Sequence, residues 1–299
     1  MSRIWEIPGG VHPPENKQQS MTRSIGHLPL PATLVIPLHQ HIGAPAKVAV
    51  TVGQTVLKGQ KLTDASNLNN LPVHASSSGT VIAIDDKPVA HPSGLNALCV
   101  TIATDGKDQW IEHAGISDFR QCDPHNLLQM ITEAGIAGMG GAGFPAAIKL
   151  SPSNDKPVDT FIINATECEP YITADDAAMQ EKTQDLIQGI EIVGHILNNP
   201  SRVLVGIENN KPQAIVALRS HIKERSIEVV SFPTKYPSGG EKQLIYILTG
   251  REVPSGGLPS DLGMVCLNIG TLIAIKRAII DGEPLISRIT TVTGEACGV

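Results

Sequence analysis

Aromatic residues are scarce in this chain: two Trp, three Tyr and four Phe make up 3% of it. Single-stranded nucleic acid is held on stacked aromatic platforms, and so few rings argue against that class. A basic excess is missing too. There are 23 basic residues against 29 acidic ones, a net charge of −6, which leaves no electrostatic footprint for nucleic acid or an anionic membrane surface. Cysteine is present but dispersed. Cys99, Cys122, Cys168, Cys266 and Cys297 are odd in number and contain no CxxC pair, so neither a disulfide framework nor a metal site is expected, and a reducing, cytoplasmic setting fits. Long apolar runs are also lacking: "GMVCLNIGTLIAI" is broken by Asn268 and stops at Lys276, short of a bilayer span. The opening "MSRIWEIPGG" has no basic-then-apolar layout of a signal peptide.

What is present is core material. With 41% hydrophobic and 17% charged residues over 299 positions, the chain is expected to form two domains of ordinary size. Residues 1–120 are rich in short strands and turns. Val48, Val50, Val52 and Val56 alternate between turn glycines Gly53 and Gly59, and Val81 and Ile84 follow a Ser-Gly turn, a spacing that predicts a compact β sandwich or barrel. The rhythm is similar to that of biotinyl and lipoyl carrier domains, but the tip reads "NLNNLP" and holds no lysine for attachment, so a carrier role is not expected.

Beyond residue 120 the pattern changes. Asp123 and Pro124 read as N-cap and first turn of a helix over 124–134, with Leu127, Leu128, Ile131 and Ala134 on one face. "DTFIINAT", "RVLVGIE" and "IEVVSF" read as buried strands. "QDLIQGIEIVGHILNN", with Leu186, Ile190, Val193 and Leu197 in one stripe, and "KPQAIVALRSHIKERS" read as the helices between them. Alternating strands and helices predict a Rossmann-like α/β domain with a mainly parallel sheet over 121–285. The run "SRITTVTGEA" in 286–299 is expected to begin a further β strand.

Three loops carry the chemistry. In "GIAGMGGAGFPAAIKL", Gly138, Gly140 and Gly143 satisfy GxGxxG, although the loop follows a helix rather than the strand a dinucleotide fingerprint requires. Successive glycine amides form a concave anion nest, a helix from Pro145 would aim its positive end into it, and Lys149 would reach back one turn toward a phosphate. "NATECEPYITADD" leaves the first strand at its C-terminal end, where α/β folds place ligands, and carries Glu167 and Glu169 beside Pro170. "KYPSGGEKQL" is a second glycine-bearing loop feeding a helix, with Tyr236 and Glu241 as candidate cofactor contacts.

Together, "GMGGAGFP", "NATECEP" and "YPSGGE" resemble the loops of the flavin- and NADH-binding subunit of respiratory complex I. The closer resemblance, on "GGVHPPENK", "PLHQHIGAPA", "ECEPYITADD", "YPSGGEKQLIYILTGREVPSGG" and "NIGT", is to the C-subunit family (RsxC) of Rnf electron-transport complexes, and it covers essentially the whole chain. That resemblance implies a barrel-sandwich-hybrid-like domain over 1–120, an FMN- and NADH-binding α/β domain over 121–285 and the stub of a β-grasp-like domain over 286–299. It implies a peripheral protein on the cytoplasmic side of the membrane, with other Rnf subunits and ferredoxin-like carriers as partners and ion translocation coupled to electron flow. By position, Gly138, Gly140, Gly141 and Gly143 would line the FMN phosphate and ring with help from Lys149, and Asn164 would bond the ring or ribityl chain. Glu167, Tyr236 and Gly240 would lie by the flavin, and Asn268 and Thr271 by its phosphate. Phe144, Glu169 and Glu241 would receive NADH. Hydride would pass from nicotinamide to flavin with no proton-transfer residue, the protein supplying alignment and electrostatics.

Departures accompany the resemblance. Met139 stands where complex I relatives have Arg, Ala146 where Thr is commoner, and Cys168 where they have Ser, which is read as packing. No set of closely spaced cysteines exists for the two 4Fe–4S clusters of the family. The chain is therefore expected to be a piece of a longer protein, with the clusters in a C-terminal part. Two alternatives stay open on the residues: a docking module of the complex that binds no cofactor, and a quinone-binding relative of the A-type subunit of the sodium-pumping NADH:quinone reductase.

Overall fold

The structure is a computed structural model that describes residues 3–65, 67–91, 93–151, 157–222 and 226–295. Cys297, the end of the "SRITTVTGEACGV" stretch and residues 223–225 of an expected helix lie outside them. The chain packs as two compact units drawn from separated stretches: a barrel unit of His27–Lys149 with Ala274–Arg288, and a sheet unit of Met1–Gly26, Leu150–Ile273 and Ile289–Val299.

In the barrel unit, β1 (Thr33–Pro37), β2 (Lys47–Val48), β3 (Thr55–Val56), β4 (Thr63–Asp64), β5 (Gly79–Pro88) and β6 (Asn96–Thr104) form an antiparallel sheet of order β1-β6-β5-β3 and a β2-β4 pair. One side of the strands closes on Ile36, Val50, Val56, Leu62, Val81, Val100 and Ile102, as the alternating valines require. Val52 departs from that alternation. It sits in the turn tied by Gln54 N–H to Thr51 O and is 61% exposed, because a turn has no pleat to carry the period forward. Gly53 and Gly59 take the expected left-handed turns.

Helix α1 (Pro124–Glu133) starts where expected. The Asp123 carboxylate accepts from His125 N–H, and Leu127, Ile131 and Ala134 are buried. The helix expected from Pro145 is a single turn, α2 (Ala146–Lys149). Ser151 precedes Pro152, and the residue before a proline is disfavoured in the helical region.

The sheet unit is α/β. Strands β7 (Thr160–Ala165), β8 (Arg202–Glu208), β9 (Ile227–Phe232) and β10 (Met264–Asn268) are all parallel, in order β10-β7-β8-β9. They alternate with α3 (Ala174–Glu181), α4 (Thr183–Ile196), α5 (Pro212–His221), α6 (Glu241–Thr249) and α7 (Ile269–Lys276). Ile162, Leu204, Val230, Phe232, Met264 and Cys266 meet Leu244, Ile245 and Leu248 of α6 in one core. The long apolar run around Asn268 is thus a strand-to-helix passage, β10 into α7, and among the described residues no helix is long and apolar enough to cross a membrane. Helix α3 was not expected: its sequence "ADDAAMQE" is too polar to show a period. Residues 286–295, expected to open a strand, hold none. Thr291 Oγ1 accepts from Thr173 N–H and Thr293 bonds Gln19, but among the described residues no neighbouring strand offers the ladder that would make the run a sheet.

Candidate functional site

The chain runs β7, β8, β9 in one direction and then returns to place β10 on the other side of β7. The reversal is a topological switch point, and ligands of open α/β sheets sit beyond the C-terminal strand ends there. Asn164 lies near the end of β7 and Asn268 ends β10, and the two are register partners. Two carboxamides therefore stand side by side at the switch point. Each is oriented by the protein. Asn164 Nδ2 donates to Gly239 O at 2.8 Å, while its Oδ1 accepts from Thr166 N and Oγ1. Asn268 Oδ1 accepts from Gly270 N at the start of α7, and its Nδ2 donates to Asp175 Oδ2 at 2.6 Å. Thr271 is completely buried in α7 and presents no surface.

The loop after β7 holds Glu167 in a left-handed conformation, φ 45°, uncommon for a residue with a side chain. Glu167 is 8% exposed, and its carboxylate accepts from Asp175 N (2.7 Å) and Asp176 N (3.2 Å), so it caps α3. Around it lie two buried lysines. Lys17 Nζ donates to Glu167 O (2.8 Å) and Ile172 O (2.5 Å). Lys211, fully buried, donates to Asn210 Oδ1 and lies 3.5 Å from the equally buried Glu208 Oε2. Glu208 Oε1 accepts from Ser238 Oγ (2.6 Å) and Lys235 N (3.2 Å). Burial, then the charge of Asp175, pushes the Glu167 carboxyl up to about 7 against the pull of the helix amides and both lysines. Burial lowers the Lys17 ammonium as well. Among the described residues, the buried Asp176 Oδ2 and Glu208 Oε2 atoms have no hydrogen-bond partner.

The loop of Tyr236 and Gly240 is pressed onto this one. A side chain on Gly239 would put its Cβ 2.6 Å from Thr166 Oγ1 and 3.1 Å from Cys168 Sγ, so only glycine allows the approach. Cys168 Sγ accepts from Gly239 N, and burial raises its thiol, in keeping with a packing role. Tyr236, 40% exposed, pairs by its backbone with Val11, and His12, Glu15, Cys168, Pro170, Lys235 and Tyr236 are among the lining of a cavity of about 40 Å³. Glu169 is exposed and Glu241 half-buried at the start of α6. Asn164, Glu167, Glu169, Tyr236, Gly240, Glu241 and Asn268 thus share the strand-end loops of the sheet unit. Lys17, Asp175, Asp176, Glu208 and Lys211 were not foreseen. The "GGVHPPENK" string signalled Lys17 only as part of a resemblance, since its partners lie about 150 residues away.

The remaining candidates belong to the barrel unit. Ala137 and Pro145 bridge, and Gly138 N donates to Phe144 O at 2.7 Å, so the glycine run is a short hairpin with its turn at 139–142. Gly140 and Gly141 are exposed, Gly141 and Gly143 have φ 127° and 61°, and Phe144 and Lys149 are half-buried. Among the described residues no cluster of His, Cys, Asp and Glu has the arrangement of a metal site.

A flavin fits the donor set of the sheet unit. Its ring edge takes hydrogen bonds from carboxamides; Asn164 and Asn268 each spend one N–H on the protein and keep a second among the described residues, and a carboxyl poised near neutrality adds less repulsion than a fixed anion.

Residues 131–277 match the family model described as the Nuo51 FMN-binding domain, and residues 5–107 that of the RnfC barrel sandwich hybrid domain. The C subunit of the ion-translocating oxidoreductase complex from Vibrio cholerae serotype O1 (strain ATCC 39541) is 50% identical over 98% of this chain and 38% of its own length. The corresponding protein of Edwardsiella ictaluri is 52% identical over 98% of this chain and 36% of its own length. Among solved structures, an NAD+-reducing NiFe-hydrogenase in the air-oxidized state matches 52% of this chain and 30% of its own, at 26% identity and TM-score 0.47. The chain spans less than half the length of these curated relatives. With both domain models matched in order, and half its residues shared along 98% of its length, the chain belongs to the RnfC family, the C subunits of ion-translocating oxidoreductase complexes.

Proposed function

We propose that this chain is the electron-entry part of an RnfC-type protein: it binds FMN, receives hydride from NADH, and passes electrons toward iron–sulfur carriers in a complex coupled to ion translocation. The observation that supports this best is the register pair Asn164–Asn268 at the switch point, inside the segment that matches an FMN-binding domain. Bound FMN would supply a two-electron acceptor able to release electrons singly. Asn164 and Asn268 would orient the ring, held in place by Gly239 O and Asp175. Glu167 would keep the loop and α3 fixed while tuning the local field. Glu169 and Glu241, with Phe144, would receive the dinucleotide. The hairpin glycines Gly138, Gly140, Gly141 and Gly143, with Lys149, are proposed to contact the cofactor phosphate. The two 4Fe–4S clusters are expected outside these residues. The protein would sit peripherally on the cytoplasmic face, among other Rnf subunits and ferredoxin-like carriers.

Titration with FMN followed by flavin-fluorescence quenching tests the placement. Asn268→Ala is expected to weaken FMN by roughly 10-fold, the effect of losing one hydrogen bond of ordinary strength. Unchanged affinity in a folded Asn268→Ala protein would take the switch point out of the site.

A further inference from the structure

We propose that Arg288 is a phosphate-binding residue of the glycine hairpin. It lies in a stretch whose sequence suggested only the edge of another domain, yet it packs with the barrel unit, and its Nη2 donates to Met139 O at 3.0 Å. One of the guanidinium's five N–H donors is thereby spent on fixing the group against the hairpin turn. The side chain is exposed and makes no ion pair among the described residues. The two acids that most closely precede it in sequence are engaged elsewhere, Asp281 by Lys276 and Glu283 by Arg277.

The turn it holds is built to accept an anion. Gly138 N to Phe144 O closes one end of the hairpin, and Ile42 N to Gly143 O (2.9 Å) pins the other to the "PLHQHIGAPA" loop. Between them, Gly140 and Gly141 are exposed, and the amides of residues 140–142 make no hydrogen bond among the described residues. At Gly141 the backbone has φ 127° and no atom lies within 4 Å of where a Cβ would stand. Successive bare amides beside a fixed, forked cation form a receptor for phosphate oxygens. The ligand class is a nucleotide phosphate, either the monoester of FMN or the diphosphate of a dinucleotide. The choice between these two sources rests on the flavin and NADH reading above.

The test uses the full chain and three probes: FMN, riboflavin and ADP-ribose. Arg288→Gln keeps a donor for Met139 O and removes the charge. It is expected to weaken FMN or ADP-ribose by about 10- to 100-fold, as for one charge-assisted donor, and to leave riboflavin unchanged. Arg288→Lys should fall between. A loss confined to FMN assigns the flavin phosphate, and a loss confined to ADP-ribose assigns the dinucleotide. Phosphate-ligand affinities within about twofold of the parent chain, well below the loss expected for a charge-assisted donor, would overturn the proposal, as would an equal loss for riboflavin. Those results would leave the functional reading intact, whereas a parent chain that takes neither FMN nor ADP-ribose would defeat both.

Discussion

Glu167 concentrates the physics of the site in one side chain. Its carboxyl is raised to about 7 by burial and by Asp175, whereas the unfolded chain ionises near 4.5. Between those values the folded protein holds a proton the unfolded chain has released, so this group's contribution to stability declines as pH rises through that window. The melting temperature of the parent chain should therefore fall more from about pH 5 to about pH 8 than that of Glu167→Gln, which does not titrate there. Parallel curves for the two proteins would contradict the assignment. A second residue-scale prediction concerns Lys211 and Glu208, both fully buried. Lys211→Met strands a buried carboxylate and should cost about 3–5 kcal/mol, and adding Glu208→Gln should restore much of the loss. Calorimetric melting of the single and double variants checks this, and a double variant no more stable than the single one would contradict it. Glu167 was legible in the sequence because it follows a strand end directly. Its lysine partners were not, because nothing local in "PPENK" or "ENNKPQ" records a contact made across the fold.

At the scale of elements, two glycines make opposite demands. A Cβ at Gly189 of α4 would fall on the carbonyl of Leu272 in α7, so Gly189→Ala should force these helices apart and cost about 1–3 kcal/mol, read as a lower melting temperature without loss of helical circular dichroism. Gly141 has open space and a φ that branched residues avoid. Gly141→Val should leave the fold standing and reduce FMN affinity by at least about 10-fold; an unaltered titration would remove the hairpin from the cofactor's contacts. The strands at 160–165, 202–208 and 227–232 and the helices at 124–133 and 183–196 were legible because each carries a clear apolar period. Helix α3 was hidden because its buried residues are Asp176, Ala178 and Met179, too few and too polar to mark a face. The alternation in "SRITTVTGEA" misled for the converse reason: a strand exists only where another strand pairs with it.

For the molecule as a whole, the α/β fold and the β-rich barrel follow from patterning. The compact units do not follow the order of the chain. Residues 1–26 pack with the sheet and 274–288 with the barrel, because long-range hydrogen bonds such as Val11 to Tyr236 and Leu285 to Ala134 decide where those stretches go. The placing of the loops after β7 and β9 at strand ends was readable. The switch point itself was not, since it depends on which side of β7 receives β10. The proposed activity is FMN binding by this chain followed by hydride transfer to the flavin from NADH. The most direct measurement is anaerobic: load the chain with FMN, remove the excess, add NADH and record the flavin absorbance band. Saturable FMN binding is expected, followed by bleaching of the band on NADH addition. A folded chain that retains no FMN, or retained flavin that NADH leaves unbleached, would contradict it.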